Sequence, residues 1–266
     1  MCVVLLFFKR VFCSGLKYGN AAMKTVVITA RFFCAWLFTL WMGVWAGFLM
    51  ICISPEKGWL WSRMFWAKGT LALIGIRLDV EGAHLLRTPG VYVSNHVSLI
   101  DVVVMPALVP KTCQIVAKKE LKKIPFWGWA FAKGGAILID RKNPRQAVEH
   151  IRTAVKSLKK GWSVLVFPEG TRSLDGALKP FKKGAFHIAI ETGLPVIPVG
   201  LDGVREVVPK GKWLTRPSLV CATVGEPVFP HGLTHEDVQA FTHTCHAAVA
   251  SCVQRSKERR DKLLHA

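Results

Sequence analysis

The sequence predicts an α/β domain, a mixed sheet with parallel strands flanked by helices, preceded by an N-terminal membrane-embedded helical hairpin. Three observations carry this. From about residue 77 onward, short β-branched runs alternate with stretches of helical apolar spacing, the pattern of strands and crossover helices. Upstream, Phe32 to Ile53 is a run of 22 residues without a charge. Six of the ten tryptophans, Trp36, Trp41, Trp45, Trp59, Trp61 and Trp66, fall between residues 36 and 66. Tryptophan prefers the headgroup level of a bilayer, where its ring is half buried and its N–H stays wet. The expected division is a basic leader with a membrane-associated two-helix segment over 1–76, and the α/β domain with a C-terminal helix over 77–266.

Residues 1 to 24 read as a weakly specified basic leader, and the apolar start Val3 to Phe8 is too short to span. The uncharged run, as a helix, is roughly 33 Å long, about the thickness of a bilayer core. It lacks a small-residue cleavage site, so the segment is expected to be retained. No acidic residue precedes Glu56, whereas Lys9, Arg10, Lys17, Lys24 and Arg31 do, and Lys57, Arg63, Lys68 and Arg77 follow the run. The positive-inside rule wants one flank poor in lysine and arginine. Positive flanks on both sides favour a helix that enters one leaflet and returns to the cytoplasmic surface over a simple span. Pro55 and Gly58 are expected to break the chain. Trp59 to Ile76 then mixes aromatic residues with Arg63 and Lys68, the make-up of a helix lying at an interface.

The predicted strands are Val91–Val93, Gln114–Val116, Ala136–Ile139, Ser163–Phe167, Pro195–Gly200 and Leu219–Val224. Gln146 to Lys159 has helical apolar spacing through Val148, Ile151, Ala154, Val155 and Leu158. Gly184 to Thr192 reads as a shorter helix, and His235 to about Leu264 as a helix ending in a charged tail. There is no internal repeat and no low-complexity linker.

Composition narrows the setting. Hydrophobic residues make up 51% and mean hydropathy is +0.32, high for a purely soluble protein. The net charge of +19 is attracted to anionic headgroups, and it is assigned here to membrane lipids, with no nucleic-acid partner expected. The eight cysteines show no C-x-x-C spacing. They read as reduced thiols of a membrane-associated protein whose catalytic domain faces the cytoplasm, without a disulfide framework or metal site.

Two motifs carry the chemistry. Asn95-His96-Val97-Ser98-Leu99-Ile100-Asp101 follows a predicted strand, at the edge where α/β folds build sites. His96 and Asp101 are about 140° apart on a continuous helix, but they meet if His96 lies in the turn and Asp101 in the next helix. The carboxylate then fixes the imidazole tautomer and makes the other nitrogen a better base. The same residues also read as a helix start, with Ser98 capping, Asp101 completing a capping box and His96 merely exposed. Phe167-Pro168-Glu169-Gly170-Thr171-Arg172-Ser173 ends another strand. There Gly170 allows close approach, turn amides can donate to an anion, and Arg172 offers a fork to phosphate. Glu169 is expected to orient the arginine or a substrate hydroxyl. An ordinary Pro-Glu-Gly turn with a solvated arginine is the other reading.

Gly135 to Arg141 is a strand ending in an acid–base pair. Lys118-Lys119-Glu120-Leu121-Lys122-Lys123, followed by Phe126, Trp127 and Trp129, suits a surface that meets headgroups with lysines and acyl chains with rings.

These blocks together resemble the 1-acylglycerol-3-phosphate (lysophosphatidate) acyltransferases within the glycerolipid acyltransferases. Asn95-His96-x-Ser98-x-x-Asp101, Gly135 to Arg141, Phe167 to Ser173 and Val196-Ile197-Pro198-Val199 occur in the family's order, over roughly residues 70 to 225. Leu138 departs mildly, standing where the family often has an aromatic. The resemblance implies that His96 is the general base and Asp101 its partner. It further implies that Arg141 and Glu169-Gly170-Thr171-Arg172 form the acceptor phosphate site, and Asn95, Ser98, Lys118 and Lys119 complete the expected substrate-binding set. The implied reaction moves a fatty acyl group from acyl-CoA or acyl carrier protein to the 2-hydroxyl of lysophosphatidate. No cofactor is implied beyond that thioester co-substrate.

A sibling enzyme using a lysophospholipid, glycerol 3-phosphate or an amino-acid lipid has the same motifs. A serine hydrolase is disfavoured because no G-x-S-x-G elbow exists. A purely polybasic membrane binder would leave the histidine without a role. H-E-x-x-H, P-loop and dinucleotide signatures are missing, so metal and nucleotide chemistry lack support.

Overall fold

The computed structural model describes residues 21–124, 127–139, 147–173, 175–208 and 215–266. Most of the basic leader, and the Asp140-Arg141 pair, lie outside the described residues.

Helix α1 runs from Ala21 to Cys52 and α2 from Pro55 to Ile74. The long helix ends where the sequence suggested, at Ile53-Ser54, but Pro55 and Gly58 themselves lie within the second helix. Pro55 starts α2, where a missing N–H costs nothing. Ser54 caps it by accepting from the Lys57 amide at 3.2 Å, and Glu56 sits in the first turn, where the helix dipole favours a carboxylate. Gly58 lies inside the helix because α1 passes so close: a β-carbon there would be 2.5 Å from the Met50 nitrogen.

The two helices are antiparallel along their length. Gly58 meets Met50, Gly69 meets the Phe38 ring, and Gly75 meets Arg31. Midway, the Trp66 Nε1 donates to Thr39 Oγ1 at 3.1 Å. The outer face of α1 is apolar and uncovered, with Phe33, Leu37, Leu40, Val44, Phe48 and Ile51 exposed. Thr25–Cys52 is long and apolar enough to cross a membrane, and only 28% of its most apolar stretch is buried, unlike the core helix of a soluble domain. Of the six clustered tryptophans, Trp36, Trp41, Trp45 and Trp61 are exposed. Trp59 is buried against Phe131, with ring centroids 4.8 Å apart.

One residue, Gly75, separates α2 from β1 (Ile76–Glu81). This strand was not anticipated, although Ile-Arg-Leu-Asp-Val-Glu alternates apolar and charged residues as a strand does. The others are β2 (Val91–Ser94), β3 (Cys113–Lys118), β4 (Ile137–Ile139), β5 (Ser163–Val166), β6 (Val196–Asp202) and β7 (Ser218–Val224). They form one seven-stranded sheet in the order β1-β7-β6-β2-β5-β3-β4. Every pairing is parallel except β6 with β7. The helices are α3 (Asp101–Leu108), α4 (Trp127–Lys133), α5 (Ala147–Lys159), α6 (Gly184–Thr192), the short α7 (Val204–Val207) and α8 (Val238–His265).

Central β2 is buried on both faces, as a covered parallel sheet requires. Tyr92 packs with Ile100 and Val104 on one side, together with Leu71 and Ile74 of α2. Val91 and Val93 pack on the other with Leu158 of α5, Phe186 of α6 and Phe241 of α8. The hairpin thus shares a core with the sheet. Because β6, β2, β5, β3 and β4 run the same way, their C-terminal ends share one edge, and both motifs emerge there.

Gly58→Ala should lower the thermal stability of the detergent-solubilised chain by about 1–3 kcal/mol, the usual cost of overpacking. An unchanged unfolding midpoint would contradict the close helix approach.

Candidate active site

At the end of β2 the chain is tied down before it turns. Asn95 is buried, its Nδ2 donates to the Leu201 carbonyl at 3.0 Å, and its Oδ1 accepts from the Leu201 amide at 2.9 Å. The side chain therefore continues the ladder to β6 in place of backbone and releases the main chain at His96. Asn95 was expected to touch substrate; its amide is instead consumed behind the site.

His96 Nδ1 lies 2.8 Å from Asp101 Oδ2. A carboxylate accepts, so Nδ1 carries the proton and Nε2 presents its lone pair. The same Oδ2 accepts from the Val97 and Ser98 amides at 2.7 and 2.8 Å. Dyad and helix start are therefore one arrangement, because Asp101 closes the turn before α3 while holding the imidazole. Asp101 is fully buried, and its Oδ1 has no partner among the described residues. Ser98 is buried too, its Oγ 3.3 Å from the Ile100 amide. It supports the turn and is not presented as a substrate contact or nucleophile. The imidazole stacks on Phe167 with centroids 4.4 Å apart and remains 14% exposed, enough for Nε2 to meet a substrate hydroxyl.

The second motif grips the first by its backbone. Glu169 Oε1 accepts from the His96 amide at 2.7 Å, and the Ser173 amide donates to the His96 carbonyl at 2.7 Å. The other Glu169 oxygen accepts from the Lys179 amide at 3.2 Å. Glu169 therefore does not orient Arg172 or a hydroxyl, because both oxygens are occupied by main chain. Burial raises its pKa, and these two amide bonds act against that shift. Ser173 is fixed in turn: its Oγ bonds Asp175 Oδ1 at 2.6 Å and accepts from the Gly176 amide at 3.0 Å.

Gly170 turns the chain at φ 73°, a conformation that favours glycine. Thr171 and Arg172 are exposed beyond it. The segment from Lys179 to Lys183 doubles back over this turn. Lys182 N donates to the Pro168 carbonyl at 2.9 Å, and Lys179 Nζ to the Arg172 carbonyl at 2.9 Å. Sequence reasoning passed over Lys179 and Lys182, although a lysine-rich stretch soon after Arg172 was a readable signal. Lys118 and Lys119 are exposed at the end of β3, separated from His96 by β5 in the sheet order. Arg141 lies outside the described residues. No group of three or more potential metal ligands occurs among the described residues.

The family model described as Acyltransferase matches residues 77–202, from β1 to the end of β6. A 1-acyl-sn-glycerol-3-phosphate acyltransferase of Saccharomyces cerevisiae is 31% identical over 205 residues, 75% of this chain and 67% of that protein. The chain belongs to the 1-acyl-sn-glycerol-3-phosphate acyltransferase family. A coconut (Cocos nucifera) protein of the same name is 33% identical over 187 residues, covering 70% of this chain and 61% of its own length. Among solved structures, the 1-acyl-sn-glycerophosphate (LPA) acyltransferase PlsC of Thermotoga maritima superposes with a TM-score of 0.70 at 28% identity. That superposition covers 89% of this chain and 96% of the bacterial one, so the two chains share a fold over most of their length.

Glu169→Gln tests the grip on His96. An amide side chain offers one accepting oxygen where two backbone N–H groups need one each, so one donor faces an NH2 group. The variant should lose about 1–3 kcal/mol of stability, read by chemical or thermal unfolding. Wild-type stability would show that the two bonds are dispensable.

Proposed function

We propose that this protein transfers a fatty acyl group from acyl-CoA or acyl carrier protein to the 2-hydroxyl of lysophosphatidate, giving phosphatidate. The observation that carries the reading is an imidazole tied to a buried carboxylate at 2.8 Å, its Nε2 outward, beside a glycine turn carrying a free guanidinium. The names of the relatives agree with it.

In this reaction Nε2 of His96 takes the proton of the acceptor hydroxyl as its oxygen attacks the thioester carbonyl. The tetrahedral intermediate collapses with cleavage of the C–S bond, and His96 returns the proton to the departing thiolate. Asp101 stabilises the imidazolium formed in between and keeps the ring from turning. Positioned general-base catalysis of this kind supplies roughly 10²–10⁴-fold. The Gly170–Arg172 turn holds the acceptor phosphate, with Arg141 assigned to the same group by family resemblance. Because the His96 backbone is bonded to Glu169 and Ser173, base and anion turn keep one spacing, which favours orientation of the bound acceptor. No acyl-enzyme and no cofactor enter the scheme.

The hairpin supports a membrane setting. α2 returns along α1 and packs against the domain along its own length, from Trp59 on Phe131 near its start to Leu71 and Ile74 in the sheet core near its end. This favours re-entry into one leaflet, with the exposed face of α1 against acyl chains and the domain at the cytoplasmic surface. Leu99 in the turn before α3 and Val102 on α3 are exposed apolar residues in the segment that follows His96, where a lysolipid can enter without fully leaving the bilayer.

His96→Ala and Asp101→Ala should each lower turnover at least 100-fold while vesicle association persists, measured with lysophosphatidate and both thioester donors. Near-normal turnover in the His96 variant sinks the mechanism. Replacing Trp41 and Trp45 together with glutamate should release the protein from anionic vesicles in a flotation assay; full retention would refute the hairpin's role.

A further inference from the structure

The cation best placed over the Gly170 turn belongs to a residue outside both motifs. A β-carbon at Gly170 would lie 3.0 Å from Cε, 3.1 Å from Nζ and 3.3 Å from Cδ of Lys182. The lysine side chain therefore lies directly on the glycine, with its ammonium across the turn. Its backbone is held in register by the bond to Pro168. The left-handed φ favours glycine here, and the end of the lysine side chain occupies the space beside it.

No described residue neutralises this ammonium. Among the described residues Lys182 Nζ makes no hydrogen bond or ion pair, and neither does the Arg172 guanidinium. The nearby carboxylates are engaged elsewhere: Glu169 with the His96 and Lys179 amides, Asp175 with Ser173 Oγ and the Ala177 amide. Lys179 adds a third positive charge, with its Nζ on the Arg172 carbonyl. Two unpaired cations of different shape thus flank one turn, a planar fork and a compact point charge.

Headgroup chemistry gives this pair a purpose. A phosphate monoester carries about −1.5 to −2 charge at pH 7, with three acceptor oxygens. A diester carries a single charge, and its additional ester oxygen is substituted and uncharged. We infer that Lys182 contacts the acceptor phosphate directly and, as the second cation beside Arg172, makes the site select a phosphomonoester over a phosphodiester lysolipid. This rests on the phosphate-acceptor reading above and adds to it the residue that sets headgroup choice.

The test is Lys182→Met in the full chain, assayed in one detergent with lysophosphatidate and with lysophosphatidylglycerol, alongside donor KM and melting temperature. The expected result is a loss of at least ten-fold in kcat/KM on the monoester, mainly through acceptor KM. The monoester-over-diester preference should fall at least five-fold at unchanged donor KM and melting temperature, and Lys182→Arg should retain most of it. Equal proportional losses on both acceptors, an unchanged preference, or a rise confined to donor KM overturns the assignment. Wild-type turnover of lysophosphatidate separates the two levels. If the wild type turns it over and the preference survives in Lys182→Met, only the lysine's role is refuted. If the wild type does not, the acceptor reading fails and this inference with it.

Discussion

A buried carboxylate facing two backbone amides sets the spacing on which the site depends. Glu169 reaches from the end of β5 to the His96 amide on one side and to the Lys179 amide on the other. Three segments meet there: the turn after β2, the turn after β5, and the lysine-bearing strap before α6. Burying a carboxylate is costly, and its raised pKa records that cost. Each amide it accepts from would otherwise be a part-buried donor without this partner. Its two oxygens and two partners match in number, which a neutral amide side chain does not reproduce.

The same economy governs Asp101. One oxygen takes the His96 ring and the Val97 and Ser98 amides together, so the group that shapes the turn also selects the tautomer. A base held by its ring, its N–H and its carbonyl has little freedom left. The parallel strands beneath supply the frame, because their shared edge brings two loops, distant in sequence, within hydrogen-bonding reach. The Asn95 amide, standing in for backbone against β6, marks where that frame ends.

Much of this was legible in the sequence. The alternation of β-branched runs with helical spacing located six strands and the helix Gly184–Thr192, and the long uncharged run located α1. What escaped depended on contacts that spacing does not encode. Ile76–Glu81 was overlooked despite its alternation, for it follows a helix with one residue between. Its acidic residues pair with Arg255 and Arg259 of α8, far along the chain. Pro55 marks the break after α1, but only the Ser54 cap shows that the second helix starts at it. The motifs named His96, Asp101 and Glu169, yet Glu169 was given a side-chain partner because backbone amides leave no mark in a sequence. Lys182 was passed over because nothing local says that the chain folds back onto Gly170.

Gly75 joins α2 to β1 as a single residue in the left-handed conformation, φ 78°, with Arg31 and Pro217 closing around it. Together with the core that Leu71 and Ile74 share with the sheet, this leaves no swivel between hairpin and domain. The hairpin is a handle rather than a tether. Any surface that fixes its tilt also fixes the direction in which the edge carrying His96 points. How deep the protein sits and which way its site opens are one mechanical variable.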